Sequence, residues 1–106
     1  YSLADLVICR AGAGSITELA FFRKAAILIP YPYAGFHQLG NANALKMKGA
    51  AVCLEEKELG GLGLSENILR LMDSAGERAE LEKRIAEFVN PEAVERLAEL
   101  AFSLIN

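Results

Sequence analysis

The chain has 106 residues, 53% of them apolar, with 11 basic and 14 acidic residues giving a net charge of −3. That composition fits one globular domain with a modest core and excludes a disordered chain. It offers no basic block as a nucleic-acid footprint and no run near ~18 apolar residues to cross a membrane.

The opening Tyr1-Ser2-Leu3-Ala4 enters the first strand without cap or loop, as expected of a sequence that begins inside a larger fold. Leu6-Val7-Ile8-Cys9 is an apolar run bounded by Asp5 and Arg10 and predicts a short buried strand. The stretch Arg10-Ala11-Gly12-Ala13-Gly14-Ser15 leads from it into Ile16-Thr17-Glu18-Leu19-Ala20-Phe21-Phe22, whose spacing suits a helix. A strand, a small-residue turn and a helix N-terminus make an anion site, because unpaired N–H groups point outward there. We therefore read the turn as a phosphate cradle. Gly12-x-Gly14 places Thr17 where the dinucleotide fingerprint has its third glycine, and no Gly-Lys-Ser/Thr follows to make a P-loop. Ser15-x-x-Glu18 admits two readings, a capping box at the helix start or contacts to a ligand.

Arg23-Lys24 suit the end of the first helix, and Ala26–Ile29 is a second apolar strand closed by Pro30. The stiff aromatic loop Tyr31–Phe36 follows. A second helix is expected over His37–Lys48, with Leu39, Ala42, Leu45 and Met47 as core candidates and Gly49 as C-cap. Ala50–Leu54 is the third strand, and Glu55–Gly63 reads as a surface loop. Then come a helix capped by Ser65 and carrying Ile68, Leu69 and Met72, a break at Gly76, and a helix over Glu77–Val89 with Leu81, Ile85 and Phe88. A last helix follows Asn90-Pro91, with Val94, Leu97, Ala101 and Leu104 on one stripe. Strand–helix–strand–helix–strand at this spacing predicts an α/β fold with a three-strand parallel sheet and crossover helices.

Ligands of such sheets bind outside the carboxyl ends of the strands. His37-Gln38-Leu39-Gly40-Asn41 also follows a strand and belongs at that edge. Gln38 and Asn41 share a helix face, and their amides suit sugar hydroxyls, though ordinary polar helix-start residues look the same. His37, the single histidine, has no nucleophile motif or carboxylate nearby to make it a general base. No residue set has metal-ligand spacing. Cys9 and Cys53 read as buried free thiols in a reducing cytoplasm.

Several motifs in fixed order carry a resemblance. Ala4–Ala13, Thr17-Glu18-Leu19, Ile27–Ala34, His37-Gln38 and Asn41-Ala42 resemble the MurG family of bacterial peptidoglycan glycosyltransferases, most densely from Ala4 to Glu56. The resemblance implies part of the Rossmann-like C-terminal domain of a two-domain GT-B enzyme. That domain holds UDP-N-acetylglucosamine, whose sugar passes to lipid I to form lipid II. It implies that residues 13–18 (Ala13, Gly14, Ser15, Ile16, Thr17 and Glu18) meet the donor, Glu18 at the ribose hydroxyls, with Gln38 and Asn41 toward the sugar. No cofactor and no metal are expected. The acceptor domain, the catalytic base and the first half of the donor domain lie outside this sequence, so the chain should not catalyse alone. Self-association through the open first strand is expected, and the intact enzyme would sit on the inner face of the plasma membrane. Two departures stand out: Arg23-Lys24-Ala25 replaces the family's Gly-Lys-Pro turn, and Phe36 precedes the His-Gln pair in place of an acidic or amide residue. The alternatives are a related UDP-sugar transferase (a glycolipid synthase or a two-subunit N-acetylglucosaminyltransferase) and an inactive binding or assembly module.

Overall fold

The computed structural model describes residues 5–32, 37–60 and 62–89, and the helical positions Glu92, Glu95 and Glu99. The last helix with its apolar stripe, and Tyr33 and Phe36, otherwise lie outside the described residues.

Three strands, β1 (Val7–Cys9), β2 (Ala26–Leu28) and β3 (Val52–Cys53), form a parallel sheet in the order β1-β2-β3. Ile8 pairs with Ile27 and Leu28 with Cys53. The ladder continues past the strand ends, where the N–H of Ile29 donates to Cys9 O and that of Leu54 to Leu28 O, both at 2.9 Å. β2 is central and wholly buried, which explains its unbroken apolar run.

Alternation along β2 divides the core in two. Ala26 and Leu28 face one layer with Ile16, Leu19 and Ala20 of α1 (Ala13–Phe22), Ala42 and Leu45 of α2 (His37–Met47), and Ile85 of α4 (Ala75–Ile85). Ile27 and Ile29 face the other, with Leu54, and Leu71 of α3 (Gly63–Asp73). A one-residue slip of β2 would exchange the two sets, so burial on both faces specifies its register. Burying each large aliphatic side chain contributes about 1.5–3 kcal/mol.

Several boundaries differ from the sequence reading. α1 begins at Ala13 with Gly12 as N-cap, so Ser15 and Glu18 lie inside the helix and form no capping box. Among the described residues a capping box stands in the segment expected as loop, where Glu55 and Glu58 cap a short 3-10 turn, Glu56–Glu58. α3 begins at Gly63, two residues before Ser65. The break before α4 falls at Ser74, whose Oγ accepts from the Glu77 N–H at 3.1 Å, leaving Gly76 in the first turn of α4. Arg78 donates to Leu71 O and Met72 O, satisfying the last carbonyls of α3. Among the core candidates, Leu39, Leu69, Met72 and Met47 are exposed, Met47 at 86%, whereas Leu71 is buried.

Both α1 and α2 end in Schellman turns. Gly49 (φ 66°) closes α2, with Ala50 N–H on Leu45 O. Arg23 (φ 52°) closes α1, with Lys24 N–H on Leu19 O. These stops return the chain to β2 and β3 and fix where the next carboxyl end emerges.

Candidate functional site

The carboxyl ends of β1 and β2 deliver the Gly12 turn and the start of α2 to one edge of the sheet. Gly12 has extended backbone (φ −73°, ψ 151°), and no side chain caps the α1 N-terminus behind it. The first intrahelical bond runs from the Ile16 N–H to Gly12 O at 3.0 Å. The amides of Ala13, Gly14 and Ser15 therefore precede the helical ladder and point out of the helix end, where the dipole is positive. Ala13 and Gly14 are exposed, and a methyl group on Gly14 would meet nothing within 4 Å. Approach to these amides is open. This end can hold an anion, above all a phosphate or diphosphate.

The other sequence-proposed residues take distinct places. Ile16 is buried in the core and its N–H is already bonded, so it anchors the helix. Thr17 Oγ1 donates to Ala13 O at 2.9 Å and keeps its lone pairs. Glu18 is half-buried on the second turn, near enough to Cys9 for its charge to act there. Burial, then the Glu18 carboxylate, raise the Cys9 thiol above its ordinary value.

Gln38 and Asn41, on the first turns of α2, both reach back to the strand ends. Gln38 Oε1 accepts from the Tyr31 N–H at 2.8 Å. Its Nε2 lies beside the turn, 3.9 Å from where a Cβ on Gly12 would stand. Asn41 Nδ2 donates to Ala11 O at 3.1 Å. Gln38 thus keeps a donor facing the turn, while Asn41 spends a donor on the backbone and keeps Oδ1. His37 is exposed at the α2 start.

One feature escaped the sequence reading. Arg10 Nη1 donates to Glu56 Oε1 at 2.6 Å and, more weakly, to Ile29 O at 3.4 Å, with its guanidinium 5.3 Å from the Tyr31 ring centroid. An arginine between a strand and a small-residue turn was the available signal; its partners lie 19 and 46 residues away. A shallow pocket of about 180 Å³ opens between α2 and the residues after β3, lined by Pro30, Asn43, Lys46, Cys53 and Glu58 among others. It does not include the Gly12 turn. Among the described residues no three His, Cys, Asp or Glu side chains cluster as a metal site.

Residues 1–97 match the Glycosyltransferase family 28 C-terminal domain. The chain belongs to that family. Among its family 28 relatives, it is 42% identical over 106 residues to the UDP-N-acetylglucosamine–N-acetylmuramyl-(pentapeptide) pyrophosphoryl-undecaprenol N-acetylglucosamine transferase of Thermodesulfovibrio yellowstonii, covering 99% of this chain and 29% of the relative. The Trichlorobacter lovleyi protein of the same name is 52% identical over 75 residues, 70% of this chain and 20% of the relative. The crystal structure of Acinetobacter baumannii MurG superposes with a TM-score of 0.71 at 30% identity, over 92% of this chain and 27% of that one. The chain thus spans less than a third of the relatives it matches, and its sheet is that of a Rossmann-like glycosyltransferase C-terminal domain.

Proposed function

We propose that this chain is the donor-binding part of a glycosyltransferase that takes N-acetylglucosamine from UDP-N-acetylglucosamine. The observation that carries the reading is the uncapped α1 N-terminus at the carboxyl edge, with the Gln38 amide beside it. A diphosphate meets the amides of Ala13, Gly14 and Ser15. Glu18, on the next turn, accepts from the ribose diol, since a carboxylate can take both hydroxyl protons. Gln38 Nε2 donates to an oxygen of the sugar, and Asn41 Oδ1 remains an acceptor on the same helix face. Residues 1–106 belong to the C-terminal domain of a GT-B enzyme on this reading, and the rest of the polypeptide supplies lipid I, its acceptor site and the catalytic base. The chain is then inactive alone. Nothing in this chemistry asks for a cofactor.

The names of the relatives support that acceptor over a glycolipid, and the intact enzyme would work at the cytoplasmic membrane surface. No helix among the described residues is long and apolar enough to cross a membrane. β1 stands at the edge of the three-strand sheet, and its open backbone favours pairing with another strand, in a second copy or in the remainder of the enzyme.

The deciding experiment titrates UDP into the isotope-labelled chain and follows backbone amide shifts. UDP should move Ala13, Gly14 and Ser15 at concentrations where uridine does not. Equal shifts with uridine, or none at these residues at millimolar UDP, would defeat the reading.

A further inference from the structure

We infer that Arg10 is a positioning residue for the Gly12 turn, closing a ring of contacts that fixes which way the Gln38 amide points; the consequence for ligands rests on the donor-site reading above.

The ring can be followed residue by residue. Arg10 is bonded through the chain to Ala11, whose carbonyl accepts from Asn41. Asn41 shares the first turns of α2 with Gln38, whose Oε1 accepts from the Tyr31 N–H. The Tyr31 ring lies against the Arg10 guanidinium, which also reaches Ile29 O. Glu56, beyond β3, accepts from the same guanidinium nitrogen at 2.6 Å. The carboxyl ends of all three strands are thereby joined through one side chain.

Stability is a poor explanation for this arrangement. Both members of the Arg10–Glu56 pair are partly exposed, at 48% and 36%, and such pairs contribute only about 0–1 kcal/mol. Geometry explains it better. The Arg10 guanidinium serves the Glu56 carboxylate and the Ile29 carbonyl from Nη1 while its flat face is available to the Tyr31 ring, and a round ammonium has no such face and places its donors differently. What the ring fixes is the Tyr31 N–H, and through it Gln38. With Oε1 engaged there, Gln38 presents only N–H donors beside Gly12. The site then selects a ligand oxygen that accepts, such as a phosphate oxygen or a sugar hydroxyl lone pair. If Tyr31 is released, the Gln38 amide is free to turn over, and that selection is lost.

The test uses the 106-residue chain with Arg10→Met, Arg10→Lys and Glu56→Gln. Arg10→Met keeps the apolar stem and removes the fork. It should speed hydrogen exchange of the Tyr31 amide and weaken UDP binding about two- to tenfold, while the unfolding midpoint stays within the small range of surface substitutions. Arg10→Lys should resemble Arg10→Met, and Glu56→Gln, which keeps an acceptor, should fall between it and wild type. Wild-type Tyr31 exchange in Arg10→Met overturns the inference, as does complete rescue by lysine. Should Arg10→Met fail to fold, the same two readouts are taken on Glu56→Gln, where unchanged Tyr31 exchange overturns it. If the wild-type chain binds no UDP, the donor-site reading fails by itself. The ring is then judged on the Tyr31 amide alone, faster exchange supporting it and unchanged exchange overturning it.

Discussion

The side chain of Asn41 holds the carbonyl of Ala11, residue to residue across 30 positions, at 3.1 Å. Ala11 is fully buried, so this oxygen has little access to water. Losing its partner costs about 1–3 kcal/mol. Asn41→Ala should therefore lower stability by that amount in urea denaturation. Asn41→Asp should cost more, because it turns an acceptor toward an acceptor. A residue that served only a ligand would leave both variants as stable as wild type.

Gly63 and Gly76 both stand near helix starts, yet alanine should act oppositely at the two. A Cβ on Gly63 would come 2.8 Å from Glu58 O, so helix α3 or the 3-10 turn must shift. Such overpacking typically costs 1–3 kcal/mol, at or above the ~1 kcal/mol that alanine gains over glycine in a helix. A Cβ on Gly76 meets nothing within 4 Å. Gly63→Ala should lower the melting temperature and Gly76→Ala should raise it. The same sign for both would contradict the packing described for the Glu58–Gly63 segment.

Arg23 closes α1 with φ 52°, a left-handed conformation that glycine adopts without the Cβ clash. Arg23→Gly should stabilise the chain by about 0.5–1 kcal/mol, despite the greater freedom it gives the unfolded state. The gain should appear as a higher denaturant midpoint with unchanged slope. A loss would mean that contacts of the Arg23 side chain outweigh the strain.

How much of this was legible follows from which signals are local. The three strands and their parallel order were readable because β2 is buried on both faces and the helices between strands are long enough for crossovers. Gly49 announced its own turn, while Arg23 adopts the same conformation without the residue type that reveals it. Ser15-x-x-Glu18 misled because a capping box depends on where the helix begins, and the glycine turn starts it three residues earlier. Met47 and Leu39 misled because α2 buries only the narrow stripe of Ala42 and Leu45. The places of Gln38 and Asn41 at the carboxyl edge were legible from topology. Their partners, Tyr31 N–H and Ala11 O, were not, since backbone groups leave no mark in a sequence.

The two thiols give a pH-dependent test. Burial pushes the Cys53 thiol up to about 11, with the charge and backbone N–H of Lys46 pulling the other way. The folded value lies above the ordinary 9.0, so the protonated thiol's contribution is complete below about pH 9 and is lost as pH rises through about 11. The stability difference between wild type and Cys53→Ala should thus shift against wild type over that window and stay flat from pH 6 to 8. Both thiols should react slowly with a disulfide reagent at pH 7.5 compared with the urea-unfolded chain. Flat behaviour from pH 9 to 11 would mean that Cys53 is better solvated than its place beside α2 implies.

Glu18 separates the donor-site reading from a purely structural one. It stands on the second turn of α1, outside any cap, so Glu18→Ala should leave the melting temperature nearly unchanged. Its carboxylate acts on Cys9, so Glu18→Gln should lower the Cys9 thiol pKa toward its ordinary value whether or not a ligand binds there. That titration checks where the side chain points. In the donor-site reading the carboxylate accepts from the ribose, and hydrogen bonds to a charged group are worth about 1.5–3 kcal/mol. Glu18→Ala should then weaken UDP binding by roughly one to two decades, and Glu18→Gln, which keeps one acceptor oxygen, by less. Ser15→Ala is the control, because it keeps its backbone amide and caps nothing; its UDP affinity should stay within about threefold of wild type. If the Cys9 titration moves as expected and UDP affinity does not, the carboxylate faces the end of β1 without touching the nucleotide, and the ribose must be held by another residue.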